Sequence, residues 1–143
     1  VAAIADDGFV DIANALAVDE DAPVGNAADD LGLLRCDSQA LAVLEQHGFE
    51  ILERNWRAGR KEVDIIARKA ALLVFVEVKA DLTGTFGHPA EWVDRSKIRH
   101  LTEAAQRYLL QKRFTDCDCR FDVITFSEGR LEHYPDAFPA ASD

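Results

Sequence analysis

Apolar and polar positions divide the chain into short blocks, each with its own period. In Asp37–Gly48 (DSQALAVLEQHG) apolar residues recur at Leu41 and Leu44 with alanines around them. Asp37 or Ser38 stands where a cap belongs and Gly48 ends the run, which predicts a helix. Phe49–Arg57 has the length and composition of a strand, and Ala58-Gly59 makes a turn. Glu62–Arg68 alternates Val63, Ile65 and Ala67 against Glu62, Asp64 and Ile66, the period of a second strand. After a short turn at Lys69–Ala71, Leu72–Ala80 is apolar on both faces as far as Glu77, as a central strand should be. Asp81–Trp92 holds two glycines and a proline and reads as a loop. Asp94–Arg113 is the clearest helix, with Ile98, Leu101, Ala105, Tyr108 and Leu109 as its apolar stripe. Cys119–Phe126 and Arg130–Tyr134 predict two further strands around Glu128-Gly129. The order α-β-β-β-α-β-β describes an α/β layered fold: a mixed central sheet of four or five strands flanked by helices.

The strand Val74–Ala80 (VFVEVKA) raises a chemical question, because Glu77 and Lys79 share one face of an otherwise apolar element. If the preceding turn is centred between Ala70 and Ala71, Asp64 lies directly opposite Glu77, with Cβ atoms about 5 Å apart. Two half-buried carboxylates that close repel each other, so one takes up a proton or a cation sits between them. A hard divalent ion, Mg²⁺ or Mn²⁺, suits such a pair and keeps waters that can react. Lys79, one pleat further on, could orient a water or stabilise charge on a phosphate. Glu62, on the face expected to hold Asp64, could reach the site through water or hold Lys79.

Charge at first argues against nucleic acid, since the net charge of the 143 residues is −10. Its distribution reverses that. Residues 1–36 hold eight acids and one base, Arg35, for a net −7, leaving −3 for the other 107. The expected organisation is therefore an acidic extension over 1–35, a folded domain over 36–135 and a frayed tail over 136–143. Phe9–Val18 in the extension has weak helical periodicity, and an acidic segment of this kind suits a basic partner. The body carries bases in two clusters: Arg54, Arg57, Arg60 and Lys61 beside Trp56, and Arg95, Lys97, Arg99, Arg107, Lys112 and Arg113 along the second helix. Such clusters bind backbone phosphates, with Arg57, Arg60, Lys61, Arg95, Lys97 and Arg99 as the candidates. No apolar run approaches the roughly 20 residues that span a bilayer. The first residues lack the basic start of a secretory signal, and three cysteines with no such signal suit a reducing cytoplasm.

The series NWR-x-G-x-x-EVDIIAR, LLVFVEVKA, FG-x-P-x-E-x-V and RFDVI resembles the YraN-like family over about residues 36–134. The resemblance implies a restriction-endonuclease-like fold, similar to the PD-(D/E)XK nucleases and archaeal Holliday junction resolvases. It implies that Asp64 and Glu77 are metal ligands and Lys79 the signature lysine. It also implies that an acid of the first helix assists the metal; the family shows Gly-Glu there, where this chain has Cys36-Asp37. The Val78 carbonyl completes the expected metal set of Asp64, Glu77, Val78 and Asp37. The activity implied is a metal-dependent endonuclease acting on DNA, on branched or single-stranded forms, with a homodimer expected by analogy to resolvases.

Two other classes stay open: a non-catalytic nucleic-acid-binding module on the same fold, and an assembly protein whose acidic extension binds a basic partner. Cys117 and Cys119 lack a second Cys/His pair at zinc spacing and read as packing or surface thiols. His88 reads as a surface residue, and Trp56 and Trp92 read as packing anchors. His47, His100 and His133 show no partner pattern.

Overall fold

The computed structural model describes residues 9–11, 28–81, 93–127 and 130–142. In chain order the elements are β1 (Phe9–Asp11), α1 (Ala28–Gln46), β2 (Glu50–Ala58), β3 (Lys61–Lys69), β4 (Leu72–Asp81), α2 (Arg95–Lys112), β5 (Asp118–Ser127) and β6 (Arg130–Phe138). The strands form one sheet in the order β1-β6-β5-β4-β3-β2. All neighbours are antiparallel except β4 and β5, which are parallel because α2 carries the chain back between them. This is the expected α-β-β-β-α-β-β order with a mixed sheet, plus a three-residue strand added at one edge. No helix among the described residues is long and apolar enough to cross a membrane.

Each face of the sheet is covered by one helix. Ile65, Ala67, Val74, Val76 and Ile124 pack with Ala40, Val43 and Leu44 of α1. Ile66, Leu73, Phe75, Phe121 and Val123 pack with Leu101, Ala104, Ala105 and Tyr108 of α2. β4 contributes to both, which is why its apolar run shows no alternation before Glu77. Tyr108 anchors the α2 side, edge-on to Trp56 at 5.2 Å and to Phe75 at 6.0 Å. Burying such a ring contributes about 2–3 kcal/mol. Asp94 caps α2 by accepting the Lys97 N–H at 2.8 Å.

Three expectations about element ends need correction. Phe9–Asp11 is a strand paired with β6, not part of the weak helix its periodicity predicts; the rest of that stretch lies outside the described residues. α1 begins at Ala28, so Asp37 stands inside the helix instead of capping it. β6 runs on to Phe138 through Pro135 and a left-handed Asp136 (φ 53°), with Phe138 stacked on Phe121 at 5.1 Å. The Ala141 N–H then donates to Thr102 Oγ1 at 2.9 Å, so the tail is held against α2.

One irregularity matters for the site. Ile65 packs on the α1 side, yet Val63, two residues earlier, packs on the α2 side. On β2, Arg54 pairs with Ile65 and Trp56 with Val63, and Trp56 meets α2. Between them Asn55 takes a φ of 48°, a left-handed conformation that asparagine tolerates better than most residues. Both strands turn over together, and Asp64 sits at the turnover. This reverses Glu62, expected on the face of Asp64. Its neighbour Lys61 pairs with Glu103 of α2, whereas Glu62 points the other way and pairs with Arg57 at 3.5 Å.

Candidate active site

The β3–β4 hairpin turns through Ala70-Ala71, the centre the sequence predicts. Ala70 is left-handed (φ 52°) at a place where glycine is easier. Pairing runs from Lys69–Leu72 to Ile65–Val76. One further step in this register sets Asp64 against Glu77, but there the strands part. β3 continues along β2 to Lys61, and β4 continues along β5 to Asp81. Asp64 fills the fork: its Oδ2 accepts the Val78 N–H at 2.8 Å, a donor that lost its strand partner.

Glu77 lies in the same fork and is 5% exposed. Its Oε1 is 3.4 Å from Lys79 Nζ and 3.3 Å from Lys97 Nζ. Its Oε2 is buried with no hydrogen-bond partner. Burial pushes the Asp64 carboxyl up to about 7, helped by the Glu77 charge; the Val78 N–H and Lys97 pull it partly back. At neutral pH the pair is poised to release or bind one proton, and two ammonium groups stand beside it.

The other candidates lie in different places. Lys97, expected among the phosphate-binding bases, is half-buried in the cluster itself. Arg95 and Arg99 flank it on exposed positions and line a groove of about 330 Å³ with Ile98 and residues 139–142. Arg57 and Arg60 are exposed near the β2–β3 tip, while Lys61 is engaged by Glu103. Asp37 belongs elsewhere. Burial raises its carboxyl, Arg54 pulls it down and Glu62 pushes it up, so it groups with those two on the α1 side. Among the described residues no group of three or more His, Cys, Asp or Glu side chains could hold a metal ion. Of the four residues expected to form a metal set, Asp64, Glu77 and Val78 lie together in the fork, and Asp37 groups with Arg54 and Glu62 instead. His88 and Trp92 lie outside the described residues. Cys117 and Cys119 are free thiols, and burial together with Cys117 pushes Cys119 up to about 11.

A second polar cluster was not foreseen. Asp122, fully buried on β5, accepts from Arg120 Nε at 2.7 Å and Nη2 at 2.9 Å, and from the Asp136 N–H at 3.0 Å. Its Oδ2 is also 2.8 Å from His133 Nε2. These contacts hold the Asp122 carboxyl below its ordinary value against the opposing effect of burial. The sequence did carry a signal. An aspartate in the middle of the apolar strand CRFDVITF needs buried partners.

The fold and this site define a class: a mixed-sheet α/β protein with two opposed carboxylates and two ammonium groups in a strand fork. The chain belongs to the uncharacterised protein family UPF0102, the YraN-like group, whose model matches residues 36–126. That span contains Asp64, Glu77, Lys79 and Lys97. Similar relatives include a UPF0102 protein of Chlorobium phaeobacteroides, 40% identical over 71% of this chain and 87% of its own. Another, from Geobacter metallireducens, is 43% identical over 73% of this chain and 89% of its own. A third, from Bacteroides thetaiotaomicron, is 42% identical over 71% and 87%. Among solved structures, Pyrococcus furiosus SfsA in complex with Ca²⁺ aligns over 71% of this chain and 63% of that one. At 13% identity and a TM-score of 0.33 that likeness is too loose to inform fold or activity.

Proposed function

We propose that the protein is a divalent-metal-dependent endonuclease that hydrolyses phosphodiester bonds in DNA, as a member of the PD-(D/E)XK superfamily related to Holliday junction resolvases. The observation that carries this reading is the fork. Asp64 is pushed up to about 7 by burial and Glu77, and Glu77 keeps a buried oxygen without a partner. Crowded, half-neutralised carboxylates with a spare oxygen fit a hard cation, and Mg²⁺ or Mn²⁺ needs only one or two carboxylates because it keeps its waters. Asp64, Glu77 and the Val78 carbonyl would hold it, and when bound it supplies charge to a phosphoryl oxygen and lowers the pKa of a water.

The chain's own residues supply the rest. In the net reaction a water oxygen bonds to phosphorus, one P–O ester bond breaks, and a phosphomonoester and an alcohol form. Lys79 orients the water, and Lys97, which reaches the same Glu77 oxygen from α2, stabilises the negative charge that grows on the phosphoryl oxygens. Arg95 and Arg99 bind flanking phosphates from α2, and Arg57 and Arg60 do so from the β2–β3 tip. A homodimer follows only by analogy with enzymes that cut two strands. The test is cleavage of fluorescent forks, four-way junctions and single strands with Mg²⁺ or Mn²⁺. Cleavage abolished by Glu77→Gln and by Lys79→Ala supports the assignment; intact DNA in every combination refutes it.

One observation favours a second reading, a non-catalytic nucleic-acid-binding module. Lys79 and Lys97 already balance the two carboxylates, so the cluster is electrically closed without a metal. On this reading DNA binding is salt-sensitive, its salt slope shrinks on Arg95→Ala or Arg99→Ala, and divalent ions change nothing.

A further inference from the structure

The groove beside α2 is built by two segments far apart in sequence. One wall is the start of α2, with Arg95, Ile98 and Arg99; the other is the stretch after β6, with Pro139, Ala140 and Ala141. Both walls are fixed by protein contacts. Phe138, just before that stretch, stacks on Phe121 at 5.1 Å. The Ala141 N–H donates to Thr102 Oγ1 at 2.9 Å, and the Thr102 hydroxyl donates to the Ile98 carbonyl at 2.8 Å. Ile98 is half-buried against the α2 side of the core, so the floor is apolar and already formed. The groove holds about 330 Å³, room for one small ligand group.

Arg95 and Arg99 are exposed and stand one turn apart on the same side of the helix. Among the described residues neither guanidinium has an ion-pair partner. The acids of the same segment are engaged elsewhere: Asp94 caps the helix by accepting the Lys97 N–H, and Glu103 pairs with Lys61. Two cations without counter-charge therefore border an apolar floor. Lys97 lies about 200° around the helix from Arg95, and it reaches Glu77 in the fork at 3.3 Å. Groove and fork are thus on different sides of α2, about one helix width or about 10 Å apart. About three stacked nucleotides of one strand cover that span.

We propose that this groove takes an unpaired nucleotide, with its phosphates on Arg95 and Arg99 and its base against Ile98 and Pro139, so that the protein selects DNA with a single-stranded segment. A duplex can offer phosphates to two arginines, but its bases stay stacked inside it. A single strand can turn one base into a slot of this size while its backbone follows the cations, the combination that single-strand sites use. Aliphatic side chains such as Ile and Pro meet the flat face of a base without reading its edge, so the subsite should be indifferent to sequence. Guanidiniums suit the strand because they make charge-assisted bonds to phosphate oxygens. The inference deepens the DNA reading of Arg95 and Arg99 and rests on it; it does not rest on cleavage at the fork.

Fluorescence anisotropy with the full chain in EDTA tests this, comparing an oligothymidylate, its abasic twin and a duplex of the same length at one salt concentration. The oligothymidylate should bind at least about tenfold tighter than either of the others. Replacing both arginines, Arg95→Ala with Arg99→Ala, should flatten its salt slope by about 1.4, the share of two phosphates on a single strand. In amide ¹H–¹⁵N spectra the Ala140 and Ala141 signals should move saturably with the oligothymidylate. Equal affinity for the abasic twin or the duplex overturns the proposal, because charge alone then explains binding. Equal affinity for a polyglutamate of the same charge, or unmoved Ala140 and Ala141 signals, overturns it too. The two readings fail separately. Single-strand preference with no metal-dependent cleavage keeps the groove and removes the nuclease, whereas cleavage of forks without single-strand preference removes the groove and keeps the nuclease.

Discussion

Asp64→Asn removes an ionisable oxygen from the fork while keeping an acceptor for the Val78 N–H. The folded chain holds the Asp64 carboxyl at about 7 against an ordinary 3.8, so the folded state binds this proton more tightly than the unfolded chain does. Its contribution to stability is fully present below about pH 4 and is lost as pH rises to about 7, beyond which the folded state carries two crowded carboxylates. The gap corresponds to about 4 kcal/mol at most. Rearrangement of Lys79 and Lys97 around the fork should leave about 2 kcal/mol of it. Urea unfolding of wild type and variant at pH 5 and pH 8 measures this directly. Asp64→Asn should raise stability by about 2 kcal/mol at pH 8, with a clearly smaller gain at pH 5. Equal destabilisation at both pH values would show that Asp64 is an ordinary hydrogen-bonding residue and refute the reasoning.

Further outcomes follow from other parts of the fold. Asp122→Asn leaves Arg120 half-buried and without its carboxylate, so it should cost about 3–5 kcal/mol in urea unfolding. Because the Asp122 pKa is lowered, wild type should lose this contribution as pH falls below about 4, and the variant should not. Asn55→Val forces a β-branched residue into a left-handed φ and should cost about 1–3 kcal/mol, whereas Asn55→Gly should stay within about 0.5 kcal/mol, both read from thermal melts. Glu103→Ala breaks a partly exposed pair with Lys61 and should cost about 1 kcal/mol by the same assay.

What the sequence conveyed followed from period and turn length. The short turn at Ala70-Ala71 sets the hairpin register, so the approach of Asp64 to Glu77 could be counted out in advance. The stripe of α2 and the unbroken apolar run of β4 were equally direct. The failures share a physical cause: each depends on a backbone event that leaves no periodic trace. Asn55 in a left-handed conformation flips the alternation of two strands, so a count by twos put Glu62 on the wrong face. Pro135 and Asp136 looked like a stop but form an irregular stretch inside β6, tied down by Asp122. The Arg120–Asp122–His133 network joins two strands through their register, which a single chain of letters does not display. Lys97 entered the fork from a helix whose bases all looked alike.

Calorimetric titration of Mn²⁺ and Mg²⁺ into the metal-free chain tests the two-carboxylate fork most directly. One saturable site per chain is predicted. It should tighten from pH 6 to pH 8 as Asp64 gives up its proton, and weaken at least about tenfold in Glu77→Gln. No saturable uptake, or equal uptake by wild type and Glu77→Gln, would contradict the fork as a cation site.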